Sequence, residues 1–454
     1  MSFVLLTDLN GLVNRKRTRN RVLPQESLMN IEYHGCLIQD CSMQGERKQD
    51  GVVPAHCAPA LKLSDDRWII FYATLDSRGH DASRSIIYQI RTDNPAGKII
   101  KEACIVPNDE QWNALGDRAC FWKCNGMPIA FGMPKSKNKL ANENVFVLKW
   151  YRYAHLLKDN VIYNSGSGKW IGAPDVLQKT LRIESLQFKL NDQEDDIEII
   201  SPAKLMTQKN YTDINEFCEL GKGFSMNHSM APPVPINADC TEWVEYDTFT
   251  PGNTGIGGHG SVAPVKYSFN TASGLYEWTK TGPLLSIPNE LIGESSICFN
   301  GSDFILSLRS FSSINTILLK TSDPFGSKFT YKTDQTGNTP RIMWKCYDGK
   351  LRLFTNSKQL SPYNEKRNPL YSFDIDTSNL SLSKPSIIFD SRKAGLPFKT
   401  PFVDMPKLFP ECNGTQILAF RAITRSQTVG NCPDSPKPTS EEIAASGIHY
   451  LTIK

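Results

Sequence analysis

The sequence predicts an all-β protein, a six- or seven-bladed β-propeller of four-stranded antiparallel blades that forms a single domain over residues 1–454. Two properties indicate this fold. Most of the chain consists of short runs of β-forming residues that end at turn residues, and 30 glycines and 28 prolines supply many turns. In addition, one hairpin-sized pattern recurs along the chain, which is typical of repeat architectures. Residues 1–30 are predicted to be an N-terminal arm or a closing strand.

Six strands stand out because they are rich in branched and aromatic residues and are bounded by turn residues. In chain order they are Arg67–Tyr72, Ser85–Arg91, Phe304–Leu308, Leu351–Phe354, Pro385–Phe389 and Gln416–Phe420. Helical periodicity is confined to two segments, 136–160 and 436–446, and we predict short helices there.

The recurring pattern reads as a polar residue, a small apolar run, a turn, a second strand and a closing residue. Four copies begin at His56, Glu294, Arg341 and Asp404, and a weaker one begins near Asn125. A single hairpin buries too little surface to be stable alone, and radial stacking of such units is the propeller solution. The last three full copies start 47 and 63 residues apart, which predicts one blade for each copy.

Three further segments are shaped like degraded Asp-boxes, turns of the Ser/Thr-x-Asp-x-Gly-x-x-Trp type. They are Asn270–Trp278, Thr321–Phe329 and Asp374–Leu382. In such a turn the aspartate side chain closes the backbone turn and the aromatic residue fills the blade. The role is structural, so these matches concern the fold and not the chemistry.

Together the repeats and turns resemble the sialidase-like superfamily of propellers, which contains the neuraminidases and the BNR/Asp-box proteins. The N-terminal part, Asp50–Pro59 with Phe71, Tyr72 and His80, is most similar to the BNR-4 group of polysaccharide lyases and rhamnosidase-like enzymes. The segment 83–97 is similar to the same group. The resemblance implies a propeller that acts on a poly- or oligosaccharide.

The sequence departs from true sialidases, which hold the substrate carboxylate with three arginines and use a Tyr–Glu pair as nucleophile. His56 stands at the position of the first arginine. Arg309 matches the second, with Glu294 fifteen residues earlier in the place of the helper glutamate, and Arg341 fits the third poorly. No tyrosine occurs near Asp404, where the nucleophile is expected. Cleavage of sialic acid by the standard route is therefore not expected.

The predicted catalytic residues are His56, His80, Asp81 and Glu294. Histidine titrates near neutral pH, which suits it to remove the proton α to a uronate carboxylate or to protonate a leaving oxygen. Hydrolysis instead requires two carboxyl groups across the scissile bond. The carboxyl groups that qualify are those of Asp81, Asp239, Glu242 and Glu294.

Substrate binding is predicted for a second set of polar residues, because guanidinium groups bind carboxylates through paired hydrogen bonds. The set is Arg78, Arg84, His228, Asp239, His259, Arg309 and Arg341. Four tryptophans are candidates either to stack against sugar rings or, with greater weight, to fill the core. They are Trp112, Trp122, Trp243 and Trp344.

These residues leave three functions open. We expect a glycoside hydrolase that cleaves an acidic or deoxy-sugar-containing glycan. The alternatives are a polysaccharide lyase with a histidine base and a propeller that binds glycan or protein without catalysis. Serine-hydrolase elbows, zincin motifs and P-loops do not occur in the sequence, so those classes are excluded.

The composition limits partners and location. A formal charge of +4 is close to balance, and the one basic run, residues 15–17, is predicted to be a solvated arm, so nucleic acid is not expected as a partner. No stretch of 18 apolar residues occurs, so no membrane span is predicted. We expect no cofactor, although Ca²⁺ or Zn²⁺ sites in propellers need leave no motif. The predicted location is cytoplasmic for the sequence as it stands, or secreted or periplasmic if a signal peptide has been removed.

Overall fold

The computed structural model describes thirteen stretches of the chain. They are residues 30–38, 52–76, 82–107, 121–133, 140–141, 143–158, 161–163, 182–205, 224–227, 229–251, 260–337, 339–425 and 437–454. Almost all of the regular structure in them is β-strand, in six antiparallel sheets that form the blades of a six-bladed propeller. The predicted all-β propeller is thus confirmed, with six blades. Within these stretches no helix has the length and hydropathy needed to span a membrane.

Strand β1, Ile31–Ile38, belongs to the last blade, and the first blade follows it in the chain. Blade 1 consists of β2 Val52–Cys57, β3 Leu61–Lys62, β4 Arg67–Asp76, β5 Ala82–Thr92 and β6 Ile99–Val106. Blade 2 consists of β7 Phe121–Met133, β8 Val145–Lys158, β9 Val161–Tyr163, β10 Arg182–Leu190 and β11 Ile197–Leu205. In both blades the long strands pair in chain order. The short strands β3 and β9 pair with the second long strand of their blade, β4 and β8 respectively.

Blades 3 and 4 repeat the arrangement. Blade 3 consists of β12 Phe224–Asn227, β13 Val234–Pro235, β14 Glu242–Pro251, β15 Ser261–Asn270 and β16 Leu275–Thr281. Blade 4 consists of β17 Ile292–Phe299, β18 Phe304–Ser310, β19 Thr316–Thr321 and β20 Thr330–Asp334.

Blade 5 consists of β21 Arg341–Lys345, β22 Leu351–Asn356, β23 Leu370–Asp376, β24 Ser381–Leu382 and β25 Ser386–Phe389. Blade 6 contains β26 Pro401–Leu408, β27 Gln416–Thr424 and β28 Gly447–Ile453, and α1, Ser440–Ala445, precedes its last strand. The outer strand of blade 6 is β1, which pairs antiparallel with β28. The first strand therefore completes the last blade, which joins the two ends of the described chain and closes the ring.

The four predicted hairpins are confirmed as the pairs β2–β4, β17–β18, β21–β22 and β26–β27. The predicted helix at 436–446 contains α1. The other predicted helix, 136–160, is wrong, because residues Val145–Lys158 form the long strand β8. Residues 1–29 lie outside the described residues, so their assignment to an arm or a closing strand stays a prediction, and β1 begins at Ile31. The assignment of the whole chain to a single domain also stays a prediction.

Six apolar clusters hold neighbouring blades together. Phe71 of blade 1 packs edge-on against Phe188 of blade 2, and equivalent clusters join each blade to the next. The ring is completed by a cluster of blades 5 and 6 around Phe354 and Phe420 and by one of blades 6 and 1 around Tyr72 and Phe409. Each sheet thus buries both faces, which a hairpin alone does not do.

The three Asp-box-like segments occupy the same place in three blades, the turn between the third and fourth strands. In blade 4 the Asp323 carboxylate accepts the backbone N–H of Phe325 at 2.9 Å, and in blade 5 Asp376 accepts that of Ser378 at the same distance. In blade 3 the side-chain oxygen of Asn270 replaces the aspartate and accepts the N–H of Ala272 at 2.9 Å. These side chains close the turns, as the sequence predicts.

Candidate functional site

A cavity of about 90 Å³ lies where blades 1, 2, 4, 5 and 6 meet, and we call it the arginine cavity. Its walls are His56, Ser83, Met127, Glu294, Arg309, Pro340, Arg367, Asp404, Met405 and Arg421. A cavity of this volume accepts a small polar group such as a carboxylate. The cavity lies at the end of the propeller where the second strand of each blade finishes, as Arg309 does in β18.

The first strands of four blades carry a β-bulge at the cavity. The pairing registers shift beside His56 in β2, Met127 in β7, Glu294 in β17 and Met405 in β26. Three of these residues have left-handed backbone, with φ of 36° at Met127, 46° at Glu294 and 55° at Met405. A bulge turns a side chain away from strict alternation, so the repeated bulges aim these residues at the cavity. Left-handed backbone is rare for residues other than glycine and concentrates at functional sites.

The Glu294 carboxylate holds Arg309 across the β17–β18 hairpin. Nη1 of Arg309 lies 2.9 Å and 2.7 Å from the two carboxylate oxygens of Glu294. The guanidinium also stacks on the ring of Phe311, 4.3 Å from its centroid. The two contacts fix the orientation of Arg309 while its side chain reaches the cavity.

Asp404 connects two further arginines. Its carboxylate accepts Nε of Arg421 at 2.8 Å and Nη2 at 3.0 Å, and it lies 3.1 Å from Nη1 of Arg367. Phe402 lies two residues before Asp404 in β26, so the two side chains lie on the same face of the strand. The guanidinium groups of Arg367 and Arg421 stack over the Phe402 ring, 4.8 Å and 5.1 Å from its centroid. Blades 5 and 6 thus present a paired guanidinium wall that Asp404 and Phe402 hold in place.

His56 lies against this wall. Its Nε2 is 3.2 Å from Nη1 of Arg421, and its side chain is 4% exposed. Because a guanidinium nitrogen only donates, Nε2 of His56 is the acceptor, which assigns the neutral tautomer with its proton on Nδ1. The Nε2 lone pair of His56 is thereby used by Arg421.

Among the residues that the structure describes, the cavity is lined by three arginines and two carboxylates. Arg309, Arg367 and Arg421 line it against Glu294 and Asp404. The Nε–H of Arg367 is buried and makes no hydrogen bond within the described residues. Burial, only partly offset by Asp404, lowers the pKa of Arg367 to about 10. An anionic ligand would accept a hydrogen bond from this buried donor and would neutralise the one excess positive charge.

Of the predicted catalytic residues, His56 and Glu294 line the arginine cavity, whereas His80 and Asp81 lie outside the described residues. Of the predicted binding residues, Arg309 lines the cavity. Arg84 lies next to the lining residue Ser83 and binds the buried Asp76 carboxylate at 3.1 Å. Arg78, His228 and His259 lie outside the described residues. The functional roles of all these residues stay predictions.

The structure places two predicted binding residues away from the cavity. Arg341 is fully buried and donates to the backbone carbonyls of Leu308, Asn315 and Gly337. Burial, with repulsion by Arg309, lowers its pKa to about 9, and the residue supports the cavity wall without facing it. Asp239 is exposed in the turn before β14, at the end of the blade opposite the cavity.

The other acidic and aromatic candidates have structural surroundings. Glu242, at the start of β14, pairs with Lys266 at 2.8 Å. Trp243 is buried in the cluster between blades 2 and 3, where its indole N–H donates to the carbonyl of Cys240. Trp344 is half-buried against a small apolar cluster that includes Met127 and Met405. Trp112 and the side chain of Trp122 lie outside the described residues.

Sequence reasoning missed Arg367, Asp404 as an arginine ligand, and Arg421. The repeat itself carried a signal for the last two. One copy begins at Glu294 and ends at Arg309, another begins at Asp404 and ends at Arg421, and in both the acid binds the arginine across the hairpin. No such signal marks Arg367, which lies in the connection between β22 and β23.

No model of a known protein family matches the sequence, and no curated protein matches it. Several solved structures share its fold. A protein of unknown function from Dyadobacter fermentans is similar over 93% of this chain and 98% of its own, with a TM-score of 0.53 and 8% identity. The NanB sialidase of Streptococcus pneumoniae, as its K499G mutant, is similar over 92% of this chain and 70% of its own, with a TM-score of 0.51 and 12% identity.

A mutant of Trypanosoma rangeli sialidase that displays trans-sialidase activity is similar over 93% of this chain, with a TM-score of 0.53 and 7% identity. The present chain spans 57% of that longer protein. The chain has a sialidase-like propeller fold. At these identities the similarity establishes the fold alone, and membership of the BNR-4 group stays a prediction.

Proposed function

We propose that the chain is a carbohydrate-active propeller that binds the carboxylate of an acidic sugar in the arginine cavity and hydrolyses a glycosidic bond beside it. The observation that carries the proposal is the convergence of Arg309, Arg367 and Arg421, from three blades, on one small cavity. Guanidinium groups bind carboxylates through paired, charge-assisted hydrogen bonds, and three of them around one cavity select an anion. The named sialidases of the same fold act on an acidic sugar, which supports the same class of ligand here.

Hydrolysis needs two carboxyl groups near the scissile bond. Of the described residues, two carboxylates line the cavity, Glu294 and Asp404, and we assign the chemistry to them together with Asp81, which was predicted from sequence to belong to the site. Ligand binding would draw the arginines toward the substrate carboxylate and free carboxylate oxygens of Glu294 and Asp404 for the reaction. The geometry does not favour His56 as the base of an elimination, because its Nε2 already accepts from Arg421.

The test incubates the protein with a panel of uronate-containing, rhamnose-containing and sialylated glycans. Each reaction is monitored for the release of reducing ends and for the ultraviolet absorbance of an unsaturated uronate. Reducing ends without absorbance support hydrolysis. Absorbance would replace hydrolysis by elimination. Glu294→Gln is expected to lower kcat by at least about a hundredfold if Glu294 acts in proton transfer, while Glu277→Gln, on the exposed outer strand β16, leaves it unchanged.

The arginine wall is tested separately by binding. Arg309→Lys keeps the charge but loses the planar fork, and we expect D-glucuronate to bind about tenfold more weakly to it than to the unmodified chain. Arg392→Lys, in an exposed pair with Glu365, is the matched control and is expected to bind normally. Equal affinity of the Arg309→Lys variant and the unmodified chain would contradict the assignment of the cavity.

A second function, glycan binding without catalysis, is favoured by one observation. Both cavity carboxylates hold guanidinium groups, Glu294 through Arg309 and Asp404 through Arg367 and Arg421. Acids held in this way are suited to orient arginines. A chain that binds D-glucuronate but releases no reducing ends from any glycan of the panel would support the binding propeller.

A further inference from the structure

A second cluster of chemically reactive side chains lies where β1 joins the last blade, and none of its members lines the arginine cavity. The Cys36 sulfur on β1 lies 3.2 Å from Nε2 of His449 on β28. The Tyr33 hydroxyl lies 2.7 Å from Nδ1 of the same imidazole. We call these three residues the thiol triad. A nucleophile in contact with a titratable ring, which a third group orients, is the arrangement of an activated nucleophile.

A β-bulge in β1 brings the three side chains to one face of the sheet. Tyr33 pairs with Leu451 and Cys36 pairs with His449, so the register shifts by one residue between the two pairs. Gly35, at the shift, has left-handed backbone with φ of 91°, which glycine adopts without strain. Strict alternation would place Cys36 on the opposite face from Tyr33, because the two are three residues apart. The bulge therefore places the thiol beside His449.

The hydrogen bonds of the imidazole assign its proton. Nε2 of His449 also lies 2.9 Å from the backbone carbonyl oxygen of Ala445, and a carbonyl oxygen only accepts, so Nε2 carries the proton. The carbonyl and the Cys36 sulfur share this N–H, and Nδ1 accepts from the Tyr33 hydroxyl. Burial, with repulsion by Cys36, raises the pKa of Tyr33 above its usual range, so the hydroxyl keeps its proton. A hydrogen bond donated to sulfur favours the thiolate, which is the reactive form.

The sulfur is accessible although its partner is not. His449 is 2% exposed, and its ring is parallel to that of Tyr33 with the centroids 6.0 Å apart, so the imidazole is held in one orientation. Cys36 is partly exposed. Cys412 has the same partial exposure, but its thiol donates to the backbone carbonyl of Asp93 at 3.6 Å. Cys412 is therefore a comparison thiol that is hydrogen-bonded to a carbonyl instead of an imidazole.

We propose that Cys36 is a modification site, a reactive thiol that hydroperoxides oxidise to a sulfenic acid. The inference does not depend on the glycan chemistry proposed above. Susceptibility to oxidation follows thiolate character and exposure, and Cys36 combines the two. In the reaction the thiolate attacks one oxygen of hydrogen peroxide, an S–O bond forms and the O–O bond breaks. The sulfur loses two electrons to the peroxide, whose other oxygen leaves as hydroxide and becomes water with the proton that the thiol released.

The experiment compares two thiols of the same folded chain at pH 7. The protein is exposed to iodoacetamide for increasing times, denatured and digested with trypsin, and tandem mass spectrometry gives the alkylated fraction of each cysteine. Cys412 is the single cysteine of its tryptic peptide, residues 408–421, and fragment ions separate Cys36 from Cys41 on the peptide that they share. A parallel series with hydrogen peroxide and dimedone measures sulfenic acid at the same positions.

We expect iodoacetamide to alkylate Cys36 at least about tenfold faster than Cys412, and dimedone to label Cys36 first. His449→Phe removes the N–H that the sulfur accepts and should lower the Cys36 rate to that of Cys412. Tyr33→Phe keeps the ring but removes the hydroxyl that orients the imidazole. It should slow Cys36 by about threefold to tenfold, the effect of one hydrogen bond, and this variant serves if His449→Phe does not fold.

The matched control is Tyr450→Phe. Tyr450 neighbours His449 on β28 but lies on the other face, where its ring stacks on His34 with the centroids 5.1 Å apart. The variant removes a hydroxyl from the same strand without touching the thiol triad, so the Cys36 rate should stay unchanged.

Three results would overturn the inference. Equal alkylation rates of Cys36 and Cys412 in the unmodified chain would show that the thiol triad does not activate the sulfur. A Cys36 rate that stays high in both Tyr33→Phe and a folded His449→Phe would assign it to exposure alone. Fast alkylation without a dimedone adduct at Cys36 would exclude oxidation by hydroperoxides.

Discussion

Replacement of Asp404 by asparagine tests whether this carboxylate is what holds the arginine wall together. Asp404 is fully buried and contacts Arg421 through two hydrogen bonds and Arg367 through a third short contact. An asparagine side chain at this position would keep the shape but leave two buried guanidiniums without their counter-charge. Removal of one partner from a buried ion pair destabilises proteins by about 3–5 kcal/mol, and we expect the free energy of unfolding of Asp404→Asn to fall by that amount.

The matched control is Asp374→Asn. Asp374 also binds two cations, Lys350 at 2.9 Å and Arg352 at 2.8 Å, but its side chain is 40% exposed. Exposed ion pairs contribute about 0–1 kcal/mol, so this variant should lose little stability. Urea unfolding followed by tryptophan fluorescence gives both values, and urea is preferred because it does not add salt.

A second measurement separates the electrostatic explanation from a simple packing defect. If the loss in Asp404→Asn comes from unpaired guanidiniums, sulfate should restore more stability to the variant than to the unmodified chain, because the anion binds the folded state. A loss no larger than that of Asp374→Asn, or a larger loss that sulfate does not repair, would refute the reasoning.

Three further predictions concern buried groups. Burial and the adjacent Glu245 raise the pKa of Asp247 to about 8, so the folded chain keeps a proton that the unfolded chain releases near pH 4. The free energy of unfolding should therefore fall as pH rises from about 4 to 8. Urea midpoints measured across that range should lack this fall in Asp247→Asn. Burial lowers the pKa of Lys407 to about 8, so stability should rise between about pH 8 and 10, and the same titration of Lys407→Met should be flat there. Leu451→Ala, at a fully buried position between blades 5 and 6, should lower the free energy of unfolding by about 2–5 kcal/mol, against less than about 0.5 kcal/mol for the exposed Leu360→Ala.

The hairpins of the propeller were predictable because their information is local. In β17–β18 and β21–β22, a short apolar strand, an Asn-Gly or Asp-Gly turn and a second strand follow one another within sixteen residues. The same locality brought His56, Glu294 and Arg309 into the predicted site, since His56 lies in the β2–β4 hairpin and the other two in β17–β18. The number of blades could not be predicted from the repeat spacing, because it depends on the pairing of β1 with β28, a contact between the two ends of the propeller.

The helix predicted at 136–160 was wrong because a strand that is buried on both faces lacks the alternating pattern of a half-buried strand. Phe146, Leu148 and Trp150 face blade 1, while Val147 faces blade 3, so both faces of β8 are apolar and the two-residue period disappears. Between them Lys149 is fully buried, although a lysine looks like a surface residue in the sequence. Its ammonium group is neutralised by Glu245, 96 residues later on β14, and this pairing exists only in the assembled ring.

In the candidate site too, the local part could be predicted from the sequence and the non-local part could not. Its local part, an acid at the start of a hairpin that binds an arginine at the end, occurs in blades 4 and 6 and is present in the sequence as a repeat. Its non-local part is Arg367, which comes from the connection after β22 and reaches the Asp404 of the next blade. Because Asp404 already forms two hydrogen bonds with Arg421, Arg367 shares that carboxylate and forms an ion pair with no second one among the described residues. A structural role alone would be served by one arginine on one carboxylate, so the surplus arginine is the feature that points to an anionic ligand.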